Sequence, residues 1–206
     1  MFKQWKNSMT ETIIDLLRHG EPEGGRKFRG YSIDDPLSEK GWQQMRDAVG
    51  DYDQWNCVVT SPLLRCKAFA EELAEKYKIP VTIKPDFEEV GFGDWEGKTA
   101  DEILRNNPEE YESFYRDPVN FRPENAEDID VFCDRVVDSY NQVLEEHRNQ
   151  HCLIVAHAGV IRAIVAHILD ATPLGMYRIN VKNAGMVRIK YSSTGPKLEF
   201  INGLLG

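Results

Sequence analysis

Three observations predict an α/β fold, a three-layer α/β/α sandwich on a largely parallel sheet. Several apolar runs are too short for helices, stretches of helical period alternate with them, and charged or glycine-bearing turns follow them directly. Residues 12–17 (T-I-I-D-L-L) form a nearly continuous apolar run that stops at Arg18, His19 and Gly20, as a strand covered on both faces would. Residues 20–36, rich in Gly, Pro and charge, read as a loop long enough to be functional or mobile. Ser38 is placed to cap a helix carrying Trp42, Met45 and Val49 on one face, and residues 57–60 supply the second strand. A helix is expected with Pro62 in its first turn, because Cys66, Phe69, Ala70, Leu73, Ala74 and Tyr77 repeat at helical spacing. Arg65 then lies near its start.

Pro80 ends that helix, residues 81–83 form a third β run, and residues 87–97 read as an aromatic loop punctuated by glycine. Residues 99–123 hold one or two short helices broken by Pro108, Pro118 and Pro123, so residues 98–125 read as an inserted helical lid on a chain otherwise forming a single domain. Residues 126–147 give the clearest helix, with Ile129, Phe132, Cys133, Val136, Val137, Tyr140, Val143 and Leu144 along one stripe behind an acidic start at 124–130. Residues 152–156 are a fully apolar strand ended by His157, Ala158 and Gly159, and a helix is expected over 160–169. Two weaker β runs follow, at 185–191 and 198–201.

Composition narrows the function classes. The 206 residues, with 41% hydrophobic and 29% charged side chains, suit one core in water. A formal charge of −9 repels phosphate backbones and anionic bilayers, so neither nucleic acid nor a membrane is an expected partner. The apolar stretch 152–169 carries Arg162 at its centre, which argues against a membrane span. Residues 1–12 lack the apolar run of a secretory signal, and residues 1–8 could be an extension before a second start at Met9. Cys57, Cys66, Cys133 and Cys152 are scattered and read as buried thiols of a reducing compartment, the cytoplasm.

The chemistry is concentrated where two distant strands each end in a histidine closely followed by glycine. In open α/β sheets ligands bind outside the carboxyl ends of the strands, so His19 and His157 are expected to meet there. Arg18 adjoins the first histidine, and Arg65 sits at a helix start, where a cation opposes the helix dipole unless an anion binds. Two imidazoles and two guanidiniums make a phosphoryl site: guanidinium forks match phosphate oxygens, and a neutral imidazole can attack phosphorus. These groups can fill the role often given to magnesium, and two distant histidines without a nearby carboxylate set or Cys pair make a poor zinc site, so neither metal nor cofactor is expected. A departing alkoxide needs a proton, for which Glu21, Glu88, Glu89 and Glu96 are all candidates. His147, His151 and His167 read as surface or core, and Tyr31, Phe92 and Trp95 as packing before substrate contact.

The segments L-L-R-H-G-E-P at 16–22, S-P-L-L-R-C at 61–66, E-V-G-F-G-D-W-E-G at 89–97 and A-H-A-G-V-I-R at 156–162 resemble, in order and spacing, the motifs of the histidine phosphatase superfamily, whose fold is phosphoglycerate mutase-like. The resemblance implies a phosphoric monoester hydrolase of the histidine acid type, with His19 as phosphorylated nucleophile, Arg18, Arg65 and His157 as phosphate clamp, and Glu89 as proton donor. Arg29, Gly30, Ser61 and Ala158 follow as expected substrate contacts. The string beginning at Gly30 looks most like α-ribazole phosphate phosphatases and their broad-specificity relatives. Gly25 stands where the family often has asparagine, and Arg29 or Arg26 could supply the phosphate contact that asparagine would make. The expected partner is a small phosphorylated metabolite, and the expected state a monomer or homodimer. A mutase and a non-catalytic phospholigand-binding protein are the alternatives.

Overall fold

A computed structural model describes residues 11–205, so the expectations for the first eight residues and for most of the leader segment lie outside it. The strands are β1 (Thr12–Arg18), β2 (Cys57–Thr60), β3 (Val81–Ile83), β4 (His151–Ala156), β5 (Met186–Ser192) and β6 (Gly195–Gly203). They form one six-stranded sheet in the order β3-β2-β4-β1-β5-β6. The first four of these are mutually parallel, whereas β5 and β6 run antiparallel and join as a hairpin.

Helices cover both faces. Alternation along the strands sends Ile14, Leu16, Val59, Cys152 and Ile154 into a core against α5 (Ile129–Glu146) and α6 (Ala158–Ile168). Leu17, Val58, Leu153 and Val155 face the other core, under α1 (Glu39–Val49) and α2 (Leu64–Tyr77). This is the expected three-layer sandwich. Residues 98–125 contain α3 (Ala100–Asn106) and α4 (Pro108–Arg116), and Trp95, Ile103 and Phe114 form a third apolar cluster with Phe28, Phe92, Tyr111 and Tyr177. No helix among the described residues is long and apolar enough to cross a membrane.

Capping chemistry explains most of the helix boundaries. Ser38 accepts the Gly41 N–H at 3.0 Å and starts α1 as expected. Thr99 and Glu102 close a reciprocal capping box on α3, and Asn107 with Pro108 starts α4. Three expected starts are corrected. Helix α2 begins at Leu64 rather than around Pro62, because the Ser61 hydroxyl accepts from the Leu63 N–H and lies against His157, leaving Pro62 in the approach. Helix α5 begins three residues after 126, where the Asp128 carboxylate accepts from the Asp130 and Val131 N–H groups. Helix α6 begins at Ala158, directly after the strand. A short helix, α7 (Pro173–Met176), was not expected; β5 starts one residue later than its expected run, and β6 is longer than its own because hairpin pairing extends past it. Cys57, Cys66 and Cys152 are buried, Cys133 is half-buried, and all four are free thiols.

Candidate active site

Register brings the two histidines together. β1 and β4 are parallel neighbours with Arg18 opposite Ala156, so the next residue of each strand, His19 and His157, leaves the sheet at the same point. The backbone knits the corner: the His19 N–H donates to the Ala156 carbonyl at 3.0 Å, and the Ser61 N–H to the Val155 carbonyl at 3.1 Å. The imidazole centroids lie 5.2 Å apart, edge to face. Both rings are almost wholly removed from water. Burial, reinforced by the charges of Arg65 and Arg18, holds His19 well below the ordinary imidazole range; burial, Arg65 and the His19 ring do the same to His157.

Each ring is oriented by a second contact. His19 Nδ1 lies 2.7 Å from the Gly20 carbonyl, which can only accept, so that nitrogen carries the proton and Nε2 keeps the lone pair. His157 Nε2 lies 2.7 Å from Ser61 Oγ. The Cys66 thiol packs beside the same ring, at 3.6 Å from Nε2, and burial pushes its pKa up.

The two arginines come from two elements. Arg18 ends β1 and donates through Nη1 to the Val181 carbonyl at 2.7 Å; burial lowers its pKa to about 10, still cationic at neutral pH. Arg65, from the first turn of α2, is 1% exposed. Its two terminal nitrogens donate to the Gly30 and Ile33 carbonyls, each at 2.8 Å. Both guanidiniums leave a buried Nε–H without an acceptor. Such donors carry a free-energy cost of about 1–3 kcal/mol each until something accepts from them, and an oxyanion is the fitting acceptor.

Of the four carboxylates open as proton donor, the structure brings one to the histidines. Glu89 accepts from the Gly159 N–H at the start of α6, with its two oxygens at 3.0 and 3.3 Å, and from the Val90 N–H. Glu21 pairs with Lys40, and Glu96 is bound by the Phe92 and Ser32 backbone N–H groups and the Ser32 hydroxyl. Glu88 makes no side-chain hydrogen bond among the described residues, although its backbone carbonyl accepts from Arg135. Arg135, which sequence reasoning did not single out, clamps the loop bearing Glu89. It donates to the Asp86, Glu88 and Glu89 carbonyls and doubly to Glu127, which in turn accepts from the Gly91 N–H.

The expected substrate contacts separate. Ser61 and Ala158 sit at the strand ends beside the histidines, and Ala158 opens α6, where first-turn N–H groups have no helical acceptor. Arg29 is buried, but its nitrogens donate to Asp35 and to the Glu23, Gly25 and Lys27 carbonyls, so it braces the 20–36 loop. Gly30 also serves the loop. Its φ of +55° is the left-handed conformation glycine tolerates, and the Glu96 carboxylate fills the space where a side chain would stand. Arg26 is exposed and close enough for its charge to act on Arg18 and on the Tyr115 phenol.

A cleft of about 440 Å³ adjoins these groups, walled by Phe28, Phe92, Phe114, Tyr115, Leu174 and Tyr177, with Arg116, Arg162 and Arg178 on its lining. Its lining ties it to this end of the sheet: Arg162 stands on α6, which begins directly after His157, and Phe92 stands three residues after Glu89. Arg122 holds one wall, donating to Tyr177 Oη at 3.0 Å and to the Gly91 carbonyl at 2.8 Å. These arginines come from separate helices and turns, and no single motif announced them.

Paired imidazoles beside buried guanidiniums at the carboxyl ends of a parallel sheet are chemically suited to hold and transfer a phosphoryl group. The chain belongs to the histidine phosphatase superfamily (branch 1), whose family model matches residues 14–203. It is 32% identical over 196 residues to an uncharacterized phosphatase, PhoE, of Bacillus subtilis (strain 168), covering 93% of this chain and 94% of that one. It is 26% identical over 191 residues to the adenosylcobalamin/alpha-ribazole phosphatase of Escherichia coli (strain K12), covering 91% and 94%. The structure of Bacillus stearothermophilus YhfR has the same fold, with a TM-score of 0.84 at 24% identity over 95% of this chain and 98% of that one.

Proposed function

We propose that this protein hydrolyses phosphate monoesters of small metabolites, without a metal ion at the reacting centre, through a phosphohistidine on His19. The observation that carries the reading is the buried imidazole pair 5.2 Å apart beside two guanidiniums whose Nε–H groups lack acceptors. In the first step His19 Nε2 attacks phosphorus in line, forming the N–P bond as the ester P–O bond breaks. Arg18, Arg65 and His157 hold the phosphoryl oxygens, and Glu89 gives its proton to the departing alkoxide. With the Ser61 hydroxyl donating to His157 Nε2, the proton of His157 sits on Nδ1, a neutral donor for a phosphoryl oxygen. In the second step Glu89 takes a proton from water, the water oxygen bonds to phosphorus, and the N–P bond breaks to release inorganic phosphate.

The alcohol half would lie in the adjoining cleft, with residues 98–125 as its lid, through Phe114, Tyr115 and Arg116. Aromatic walls favour a planar or apolar body, and the arginines favour a second anionic group on it. The α-ribazole phosphate named for the Escherichia coli relative offers the planar body. Arg29 is taken up by its own loop, so Arg26 is the arginine free to bind phosphate where Gly25 offers no side chain. The test is hydrolysis of p-nitrophenyl phosphate and of a panel of α-ribazole phosphate, phosphoglycerates and sugar phosphates, with and without chelator. Release of phosphate into water, unaffected by chelator and abolished in His19→Ala, supports the proposal. Transfer of label to an isomer would make the protein a mutase, and phosphate binding without turnover would make it a binding protein.

A further inference from the structure

At the opposite end of the sheet from the histidine pair, three side chains converge that the phosphoryl chemistry does not use. Cys57 opens β2 and Cys152 is the second residue of β4; the two are direct partners in the parallel register and face the same core. His147 caps the C-terminus of α5 above them, held by its N–H bond to the Val143 carbonyl. Cys57 Sγ, a ring nitrogen of His147 and Cys152 Sγ all lie within 4.8 Å of one another, and the Cys57 Sγ to His147 Nδ1 separation is 3.4 Å.

The 3.4 Å separation is close to what a small tetrahedral cation imposes, and the 4.8 Å bound leaves the other two within reach of it. With Zn–S near 2.3 Å and Zn–N near 2.05 Å, a tetrahedral angle places S and N about 3.6 Å apart and two sulfurs about 3.8 Å apart. We propose that Cys57, His147 and Cys152 form a structural site for a thiophilic divalent cation of the zinc type, remote from the phosphoryl chemistry. Two thiolates balance the charge of the cation and the imidazole stays neutral, so the loaded site adds no net charge to the interior, while two thiol protons are released on loading. Ligand entry is available because His147 is half-exposed whereas both cysteines are buried. The fourth position falls on the side of exposed Gln150, whose Oε1 is already 3.1 Å from His147 Nδ1, leaving room there for its amide oxygen or a water.

The bound ion would tie the end of α5 to the starts of β2 and β4. From Cys152 to His157 is five strand residues, about 16 Å at roughly 3.3 Å each, so the ion lies far from the reacting phosphorus. Loading would therefore alter stability without altering turnover.

The test uses the full chain, stripped with chelator under reducing conditions and titrated with Zn²⁺ and with Co²⁺. The expected result is one equivalent of Zn²⁺ retained through gel filtration, a thiolate-to-cobalt charge-transfer band with Co²⁺, and a higher Tm with zinc than without. His147→Gln changes a half-exposed residue, so it should fold, weaken zinc binding at least 10-fold and lose the zinc-dependent rise in Tm; Cys57→Ser should abolish the cobalt band. Retention below one tenth of an equivalent, a cobalt spectrum without the band, or unchanged affinity in His147→Gln would overturn the proposal. So would a Cys57–Cys152 disulfide in protein isolated without oxidant. None of these outcomes depends on whether the protein hydrolyses any ester, so the two proposals fail separately.

Discussion

Replacing Gly159 by alanine probes the assignment of Glu89 with a single carbon. The Gly159 N–H is one of two backbone donors that hold the carboxylate, the Val90 N–H being the other, and a Cβ built on Gly159 would overlap Glu89 Oε1, with the Glu89 Cδ and Phe132 Cζ each at 3.3 Å. Gly159 lies inside α6 with ordinary helical backbone, so alanine itself is tolerated there and favours the helix by roughly 0.5–1 kcal/mol. The carboxylate has to move, and with it goes a charge-assisted hydrogen bond of about 1.5–3 kcal/mol. Misplacing a reacting group by about 1 Å costs roughly 100-fold, and general acid catalysis contributes roughly 10²–10⁴-fold. The expectation is a fall of about 100-fold in kcat/KM on alkyl phosphates, whose leaving groups need the proton, and under about 5-fold on p-nitrophenyl phosphate, whose leaving group does not. Steady-state rates on the two esters, with a melting curve to show a folded protein, measure this. Equal losses on both, or no loss on either, would refute the placement of Glu89 as proton donor.

Other outcomes follow from the same geometry. Arg135→Lys keeps the charge but not the fork that holds the Asp86, Glu88 and Glu89 carbonyls, so it should lower kcat on alkyl phosphates by roughly 10-fold with little change in KM, a split that steady-state kinetics resolves. Because burial, Arg65 and Arg18 hold His19 below the imidazole range, the acid limb of kcat/KM against pH should lie clearly below pH 6.5, and a limb at or above 6.5 would contradict that environment. The same shifts make stability pH-dependent. The unfolded chain binds protons at these histidines that the folded one does not, so their contribution is full above about pH 6.5 and declines as the pH falls below it, which denaturant titrations from pH 7 to 5 would register. Asp15 is wholly buried against Arg188, His151 and the Trp55 indole; burial works to raise its pKa, but the hydrogen bonds from Arg188 and His151 prevail and lower it. Asp15→Ala should cost about 3–5 kcal/mol in denaturant unfolding while the folded fraction keeps its turnover.

Much of this arrangement was legible from residue order alone. Apolar runs at 12–17, 57–60 and 152–156 announced three of the four parallel strands because strands buried on both faces need continuous apolar side chains, whereas the fourth, at 81–83, is an exposed edge strand betrayed by its β-branched V-T-I. The histidine at the end of two such runs was readable for the same reason: a parallel sheet delivers its strand ends to one side. Glu89 was not separable from Glu21, Glu88 and Glu96 by composition, since what selects it is one N–H of Gly159 seventy positions away. Arg29, expected as a substrate contact, also braces its own loop, a role the sequence did not show because the carbonyls of Glu23, Gly25 and Lys27 converge on it only once the loop is folded. The starts of α2 and α5 shifted because Ser61 is taken by His157 and Asp128 outcompetes its neighbours as a cap, choices that local pattern does not rank. The arginine-lined cleft and the Cys57, His147 and Cys152 cluster both unite elements distant in sequence. For the second, a trace existed: each cysteine stood at or near the start of a run expected to lie in one parallel sheet.

The central claim is that His19 carries the phosphoryl group. The most direct measurement is rapid acid-free quenching of a single turnover with ³²P-labelled ester, followed by peptide mapping under alkaline conditions, where phosphohistidine survives. Label on the peptide containing His19, appearing before free phosphate and absent from His19→Ala, is the expected result. Phosphate released at full rate with no labelled protein at any time, or label on another residue, would contradict it.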